Sequence, residues 1–322
     1  MLSEHLQKNI HDHRFLLLLL ALAAMLAAFV KPSIVRERPV YNFTFVIDIT
    51  RSMNTRDYRL NDEAVSRLDF VKRQLRALIP KLPCQSKIGL AVFTDRQASL
   101  LFEPLEVCSA RIEIDRVIEA LDWRMAWAAD SRIGKGLRHA VDTLTPLDTT
   151  LVFVTDGQEA PPLNPRYRSD FSDVKGRFRG MIVGVGGLNN VPIPKYDKRG
   201  KQIGFYKADD VPHRSTFGIP NRLPTDAGNV HARNAPFGGA KVTSDQHLSR
   251  LYEPYLQQLS NETGWRYHRL KNLKQWSRAL RNPAFAEMRR VAVDIRSYAA
   301  AAALCLVALA YLPLGRLTNI GA

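Results

Sequence analysis

The stretch that most constrains the fold is Phe43-Thr-Phe-Val-Ile-Asp48-Ile-Thr50-Arg-Ser52-Met53. Residues 41–49, rich in Phe, Val and Ile, read as a strand buried in the middle of a sheet. The run ends in an aspartate, and hydroxyls follow two and four positions later. A spacing of two keeps all three side chains on one side of a turning backbone. Asp48, Thr50 and Ser52 can therefore offer three hard oxygen donors to one point, and Mg2+ prefers carboxylate, hydroxyl and water oxygens.

The rest of the chain alternates. Residues 61–79 read as a helix, with Leu68, Val71, Leu75 and Leu78 at helical spacing and Pro80 and Pro83 beyond. An apparent hairpin follows, 88–93 and 99–102 about a turn at Asp95-Arg96. Helices are predicted over 112–121, 133–144 and 252–263, and strands over 151–155, 181–185 and 265–270. Strands alternating with helices predict a doubly wound α/β domain, Rossmann-like, with a mostly parallel sheet and one antiparallel edge hairpin. Residues 188–249 break the pattern with Pro, Gly, Asn and basic residues. A connection that long is expected to be functional or partly ordered.

In open parallel sheets, ligands bind beyond the carboxyl ends of the strands. A second strand ends in aspartate, at Asp156-Gly157. A third contribution is expected from the loop Asp130-Ser131-Arg132 ahead of the helix at 133; Ser131 can cap that helix and still offer a hydroxyl, and Asp130 is the alternative donor. This set resembles the metal-ion-dependent adhesion site of von Willebrand factor A domains. The family pattern is Asp-x-Ser-x-Ser, then a Thr in a later loop, then Asp-Gly. Here Asp48, Thr50, Ser52, Ser131 and Asp156 stand in those places, with Thr50 for the first Ser and Ser131 for the Thr. The resemblance covers about residues 41–270, with 188–249 as a basic insertion. It implies a Mg2+ cofactor, with Ca2+ or Mn2+ possible, and a protein partner that offers Asp or Glu to the ion. No small-molecule substrate is expected.

Enzymatic readings fit less well. Gly134-Lys135-Gly136 lacks the upstream Gly and the following Ser or Thr of a phosphate loop, and Gly184-Val-Gly186-Gly187 lacks the third Gly of a dinucleotide fingerprint. A metal-dependent hydrolase would need a general base near the ion, for which His139 and Glu159 are the candidates. Trp123 and Trp127 are expected to pack in the core.

Two apolar segments, 15–30 and 298–314, are predicted to be transmembrane helices flanking the domain. Each has the length of a short spanning helix. They leave tails at 1–14 and 315–322 and a basic juxtamembrane stretch at 271–297. The formal charge of +15 is concentrated in 161–250 and 264–296. Arg289, Arg290 and Arg296 lie just before the second segment, where anionic headgroups account for them. No nucleic-acid module is recognisable, and no nucleic-acid partner is expected.

Folding the hairpin about residue 96 sets Cys84 opposite Cys108, within bridging reach, although two free thiols are the alternative. A bridge requires an oxidising compartment. Lys and Arg near the apolar segments favour a cytoplasmic domain, but that rule is weak for a long intervening domain. The expectation is a two-pass protein of a bacterial inner membrane with its domain in the periplasm.

The hairpin with Cys84 and Cys108 looks most like the MxaL-type branch, and two spans around such a domain resemble the bacterial aerotolerance-type proteins and the components encoded with methanol dehydrogenase. Val191-Pro-Ile-Pro-Lys195 with Asp197-Lys-Arg-Gly200, and Tyr255–Gly264 followed by Tyr267, carry that likeness. It implies an accessory role in maturing a periplasmic quinoprotein dehydrogenase, beside a MoxR-type ATPase. A cytoplasm-facing scaffold for such an ATPase is the alternative.

Overall fold

The computed structural model describes residues 13–30, 32–128, 130–162, 168–197, 199–211 and 245–312. Most of the predicted tails and residues 212–244 of the insertion lie outside them. Two compact units result: Pro39–Glu287, and Met1–Arg38 with Met288–Ala322.

The chain begins with α1 (His13–Phe29). β1 (Ser33–Asp48) is exposed over its first seven residues and buried over its last nine. β2 (Tyr58–Leu60) and β3 (Glu63–Val65) form a small hairpin. Its turn residues Asn61 and Asp62 both take left-handed backbone, φ 49° and 66°, which a two-residue hairpin turn requires. The helix predicted from residue 61 therefore starts later. α2 (Arg67–Leu78) begins after Ser66, whose Oγ accepts from the Asp69 amide. That cap outcompetes the weak helical preference of Asn61 and Asp62.

β4 (Lys87–Thr94) and β5 (Gln97–Glu106) form the antiparallel edge hairpin, with Lys87 opposite Glu106. Just beyond that pair, Cys84 and Cys108 are joined by a disulfide, Cα to Cα 5.3 Å. It closes a loop of 24 residues in sequence separation, so its loss should lower stability by about 3 kcal/mol. The check is the melting temperature of Cys84→Ser/Cys108→Ser beside the wild type under oxidising conditions; equal values would contradict this.

α3 (Arg111–Ala120), α4 (Ile133–Leu144), β6 (Thr150–Thr155) and β7 (Gly180–Gly184) follow. In the insertion come β8 (Val191–Pro192), β9 (Pro194–Tyr196), β10 (Gln202–Phe205) and β11 (Leu248–Ser249); β9 pairs with β10 and β8 with β11. The stretch that sequence periodicity leaves blank is thus partly ordered. α5 (Glu253–Thr263) and β12 (Arg266–Arg269) complete the alternation. The predicted juxtamembrane stretch contains α6 (Leu273–Leu280) and β13 (Ala286–Asp294), ahead of α7 (Arg296–Tyr311). Trp276 of α6 is fully buried, its ring edge-on to Phe45 at 5.9 Å.

The main sheet has seven strands in the order β12-β7-β6-β1-β4-β5, with β13 paired to β1. All neighbours along that order are parallel except β4 and β5. Alternate residues of β1 face opposite layers. Phe43, Phe45 and Ile47 join Leu75 and Trp276 in one core. Val46 joins Phe153, Leu137 and Leu256 in the other. The registers set Asp48 beside Phe93 and Ile47 beside Val154. The carboxyl ends of β1, β4 and β6 therefore share one edge, and the candidate site lies there. Trp123 packs partly against the core, whereas Trp127 is 54% exposed and so does not pack there as expected.

In the terminal unit α1 and α7 lie side by side. Among the described residues, no helix is long and apolar enough to cross a membrane. α1 has 17 residues and α7 has 16, and both expose large apolar side chains, among them Leu19, Leu22, Leu26, Phe29 and Leu304.

Candidate metal centre

Asp48 ends β1 fully buried. Its Oδ1 accepts from the Thr50 amide (2.8 Å) and Thr50 Oγ1 (2.6 Å), and its Oδ2 from Thr155 Oγ1 (2.6 Å). A short 3-10 turn, Arg51–Asn54, brings Ser52 Oγ to 3.4 Å from Thr50 Oγ1. The spacing of two thus survives as a real convergence. Burial, with the Asp156 charge added to it, pushes Asp48 up to about 7.

Asp156 follows β6, also fully buried. Its Oδ1 accepts from the Gln158 amide (2.9 Å) and its Oδ2 from Arg67 Nη1 (2.6 Å) and Ser249 Oγ (3.3 Å). The next residue, Gly157, has φ 77°, and a Cβ there would lie 2.9 Å from Leu256. Only glycine suits both demands. Gly157→Ala should therefore cost about 1–3 kcal/mol. Urea unfolding measures it, and an unchanged midpoint would contradict the account.

Ser131 arrives from the third side. Its backbone bridges two segments, with its amide donating to Ala160 O (2.7 Å) and its own carbonyl accepting from the Ala160 amide (2.8 Å). Its Oγ is buried without a hydrogen-bond partner. A buried hydroxyl left so is costly. Thr50, Ser52, Ser131 and Asp130 line one cavity of about 120 Å³. Asp130 Oδ2 lies 3.7 Å from Arg132 Nη2. Of the five sequence-predicted residues, Thr50, Ser52 and Ser131 share that cavity, while Asp48 and Asp156 do not line it; Asp48 is bonded to Thr50 and lies close enough to Asp156 to feel its charge.

The donor set suits a hard divalent ion. A carboxylate offers about four lone-pair sites, and Asp48 and Asp156 each already accept three hydrogen bonds. Most of their lone pairs are therefore spent on protein donors. The hydroxyls keep the free lone pairs, and Ser131 Oγ has no competing partner.

Sequence reasoning missed the cation beneath this site. Arg67 is fully buried and grips Asp57 through Nε and Nη2 (2.7–3.0 Å), while Nη1 holds Asp156 and Ser249 Oγ (2.6 Å each). One signal was available. A cation in the first turn of a helix opposes the helix dipole, so an arginine directly after the cap residue, on the apolar side of α2, implies a buried acid to meet it.

The two candidate bases are otherwise employed. Glu159 Oε1 accepts from the Gly134 amide (3.0 Å) and Tyr255 Oη (2.6 Å), capping α4. Burial raises its carboxyl despite those bonds. That carboxylate also occupies the helix start where a phosphate loop would hold its ligand. His139 Nδ1 accepts from the Ala98 amide at 3.2 Å. Gly136 serves packing, since a Cβ there would lie 1.9 Å from Phe93.

Residues 43–158 match the family model of the von Willebrand factor type A domain. No curated protein sequence matches the chain. Among solved structures it is similar to an aerotolerance-related membrane protein from Bacteroides fragilis, at 18% identity over 74% of this chain and 96% of that one, TM-score 0.47. BatB from Bacteroides thetaiotaomicron gives 18% identity over 74% and 95%, TM-score 0.47. A mussel byssus proximal thread matrix protein with a zinc-occupied MIDAS motif gives 14% over 47% and 39%, TM-score 0.33.

Proposed function

We propose that this von Willebrand factor type A domain binds a partner protein through a divalent cation. Mg2+ is the first choice, with Ca2+ and Mn2+ as alternatives. The hydroxyls of Thr50, Ser52 and Ser131 hold the ion, and Asp48 and Asp156 supply the compensating charge. A hard ion bound by few protein oxygens keeps water in its remaining positions, and an Asp or Glu of the partner replaces one of these. The observation that carries the reading is the buried, unpartnered Ser131 Oγ in the same cavity as Thr50 and Ser52. Binding is favoured over hydrolysis because His139 and Glu159 both spend lone pairs on backbone amides.

The paired helices anchor the domain to a bacterial inner membrane in two passes. Each is roughly 25 Å long, short of the hydrocarbon core by an amount that local thinning and flanking Lys and Arg accommodate. Their exposed leucines support this placement. The Cys84–Cys108 bridge supports a periplasmic domain. Within that setting, the sequence likeness to components encoded with methanol dehydrogenase supports an accessory role in quinoprotein maturation.

The test is purification of the full chain from membranes with Mg2+ and with EDTA. A specific protein should accompany it in Mg2+ and be lost in EDTA. A partner retained in EDTA would overturn the metal-bridged reading.

A further inference from the structure

The residue between the two hydroxyl positions is Arg51, and nothing about holding a cation explains it. Thr50 and Ser52 are buried, while Arg51 is exposed on the rim of the same cavity. A permanent positive charge there works against a divalent ion by direct repulsion. The insertion shapes what surrounds it. Tyr206 lines the cavity together with Ile193 and Val211, and its amide donates to Ile193 O at 2.9 Å. The Arg51 guanidinium lies over the Tyr206 ring, 5.3 Å from the centroid, and Lys195 Nζ lies 5.6 Å from the same ring. Two cations thus flank one aromatic ring beside the candidate metal.

The two differ in what they can still bind. Lys195 is neutralised by Asp210 at 2.9 Å. Among the described residues, no carboxylate pairs with Arg51. Tyr206 stacking holds the guanidinium in place, yet leaves its planar fork of donors open to a bidentate anion.

Resting on the metal-bridged reading above, we infer that the partner segment carries two acidic side chains. One reaches the ion, and a neighbouring one docks on Arg51, with an apolar residue of the same segment against Ile193, Tyr206 and Val211. The charge at Arg51 then has a purpose. Its repulsion of the bare metal site is reversed when a two-acid segment spans both cations, and a partner with a single acid is discriminated against. The insertion, through Tyr206, becomes the specificity element of the site.

The experiment uses the full chain in detergent and fluorescent synthetic peptides read by anisotropy. The peptides carry one Asp, two neighbouring Asp, or Asp followed by Lys. In Mg2+ the two-Asp peptide should bind about tenfold tighter than the one-Asp peptide. Arg51→Ala should erase that preference, and Arg51→Glu should shift it to the Asp-Lys peptide, a reversal that mere loss of packing does not produce. Absence of any Mg2+-dependent binding overturns the metal-bridged reading and this inference together. Mg2+-dependent binding whose preference survives both substitutions overturns this inference and leaves the metal-bridged reading standing. Displacement of the two-Asp peptide by phosphatidylglycerol micelles more effectively than by free peptide also overturns it, in favour of a lipid headgroup on Arg51.

Discussion

Replacing Arg67 by Met is expected to destabilise the domain by about 3–5 kcal/mol. The guanidinium is fully buried and engages two carboxylates from different parts of the chain, Asp57 at 2.7 Å and Asp156 at 2.6 Å. Removing it leaves both carboxylates without a counter-charge, and an unpaired buried charge is what makes such losses large. The contacts of Arg67 also join segments distant in the chain. Nη1 reaches Ser249 Oγ at the return of the insertion, and Asp57 Oδ2 accepts from the Gly187 amide at 2.8 Å. Gly186, at φ 119°, lets the chain pass so near that a Cβ would lie 2.7 Å from Arg67 Nε. Arg67→Lys should recover little, because a point charge cannot grip Asp57 and Asp156 in the fixed geometry of the fork. Urea unfolding followed by circular dichroism measures the loss. The double variant Arg67→Met/Asp57→Asn should be more stable than Arg67→Met, since one stranded charge is gone. A loss under about 1 kcal/mol would place Arg67 among ordinary surface ion pairs and contradict the account.

This arginine marks where sequence reasoning stops. Asp48, Thr50, Ser52 and Asp156 were legible because their signals are local: a strand of period two runs into a polar end, and the strand end fixes where the side chains gather. Ser131 was legible only as one of two donors in a loop, with Asp130 beside it. What separates them is burial, and burial is a property of the packed loop. For Arg67 the place directly after the cap residue is the one local signal, and for Asp57 there is none, because a charge pair ten positions apart leaves no periodic trace. Asn61-Asp62 was a readable hairpin turn, masked by the helical spacing of the leucines that follow it. Trp276 was hidden in a stretch whose positive charge suggested a membrane approach. In the insertion, short strands paired across a long gap, such as β8 with β11, carry too few residues for any periodicity. The part of it that shapes the cavity rim, from Ile193 to Val211, is visible only once folded.

Asp48→Asn is expected to reverse the stability ranking of wild type and variant according to whether Mg2+ is present. The carboxyl is raised to about 7 in the folded protein by burial and by Asp156, against about 3.9 in an unfolded chain. A carboxyl raised on folding holds its proton more tightly in the native state. Its contribution is therefore full below about pH 4 and lost progressively as pH rises to about 7. Without metal, the wild type should lose melting temperature across that window. Asn, neutral throughout, keeps an acceptor for Thr50 and lacks this slope, so at pH 8 the metal-free variant should be the more stable protein. A divalent ion changes the sign for the wild type alone. It binds the ionised native form and stabilises it by RT ln(1 + [L]/Kd), about 2.7 kcal/mol at a hundredfold excess over Kd, and it does so better as pH rises because the proton competes for Asp48. Asn withdraws half of the carboxylate charge that compensates the ion and should abolish most of this gain. Thermal melts of both proteins at pH 5 and pH 8, with Mg2+ and with EDTA, give the result directly. An equal Mg2+ response in the two proteins would remove Asp48 from the metal site, and a metal-free wild type with the same pH slope as the variant would remove the buried carboxyl, raised by its surroundings, on which the site's charge logic depends.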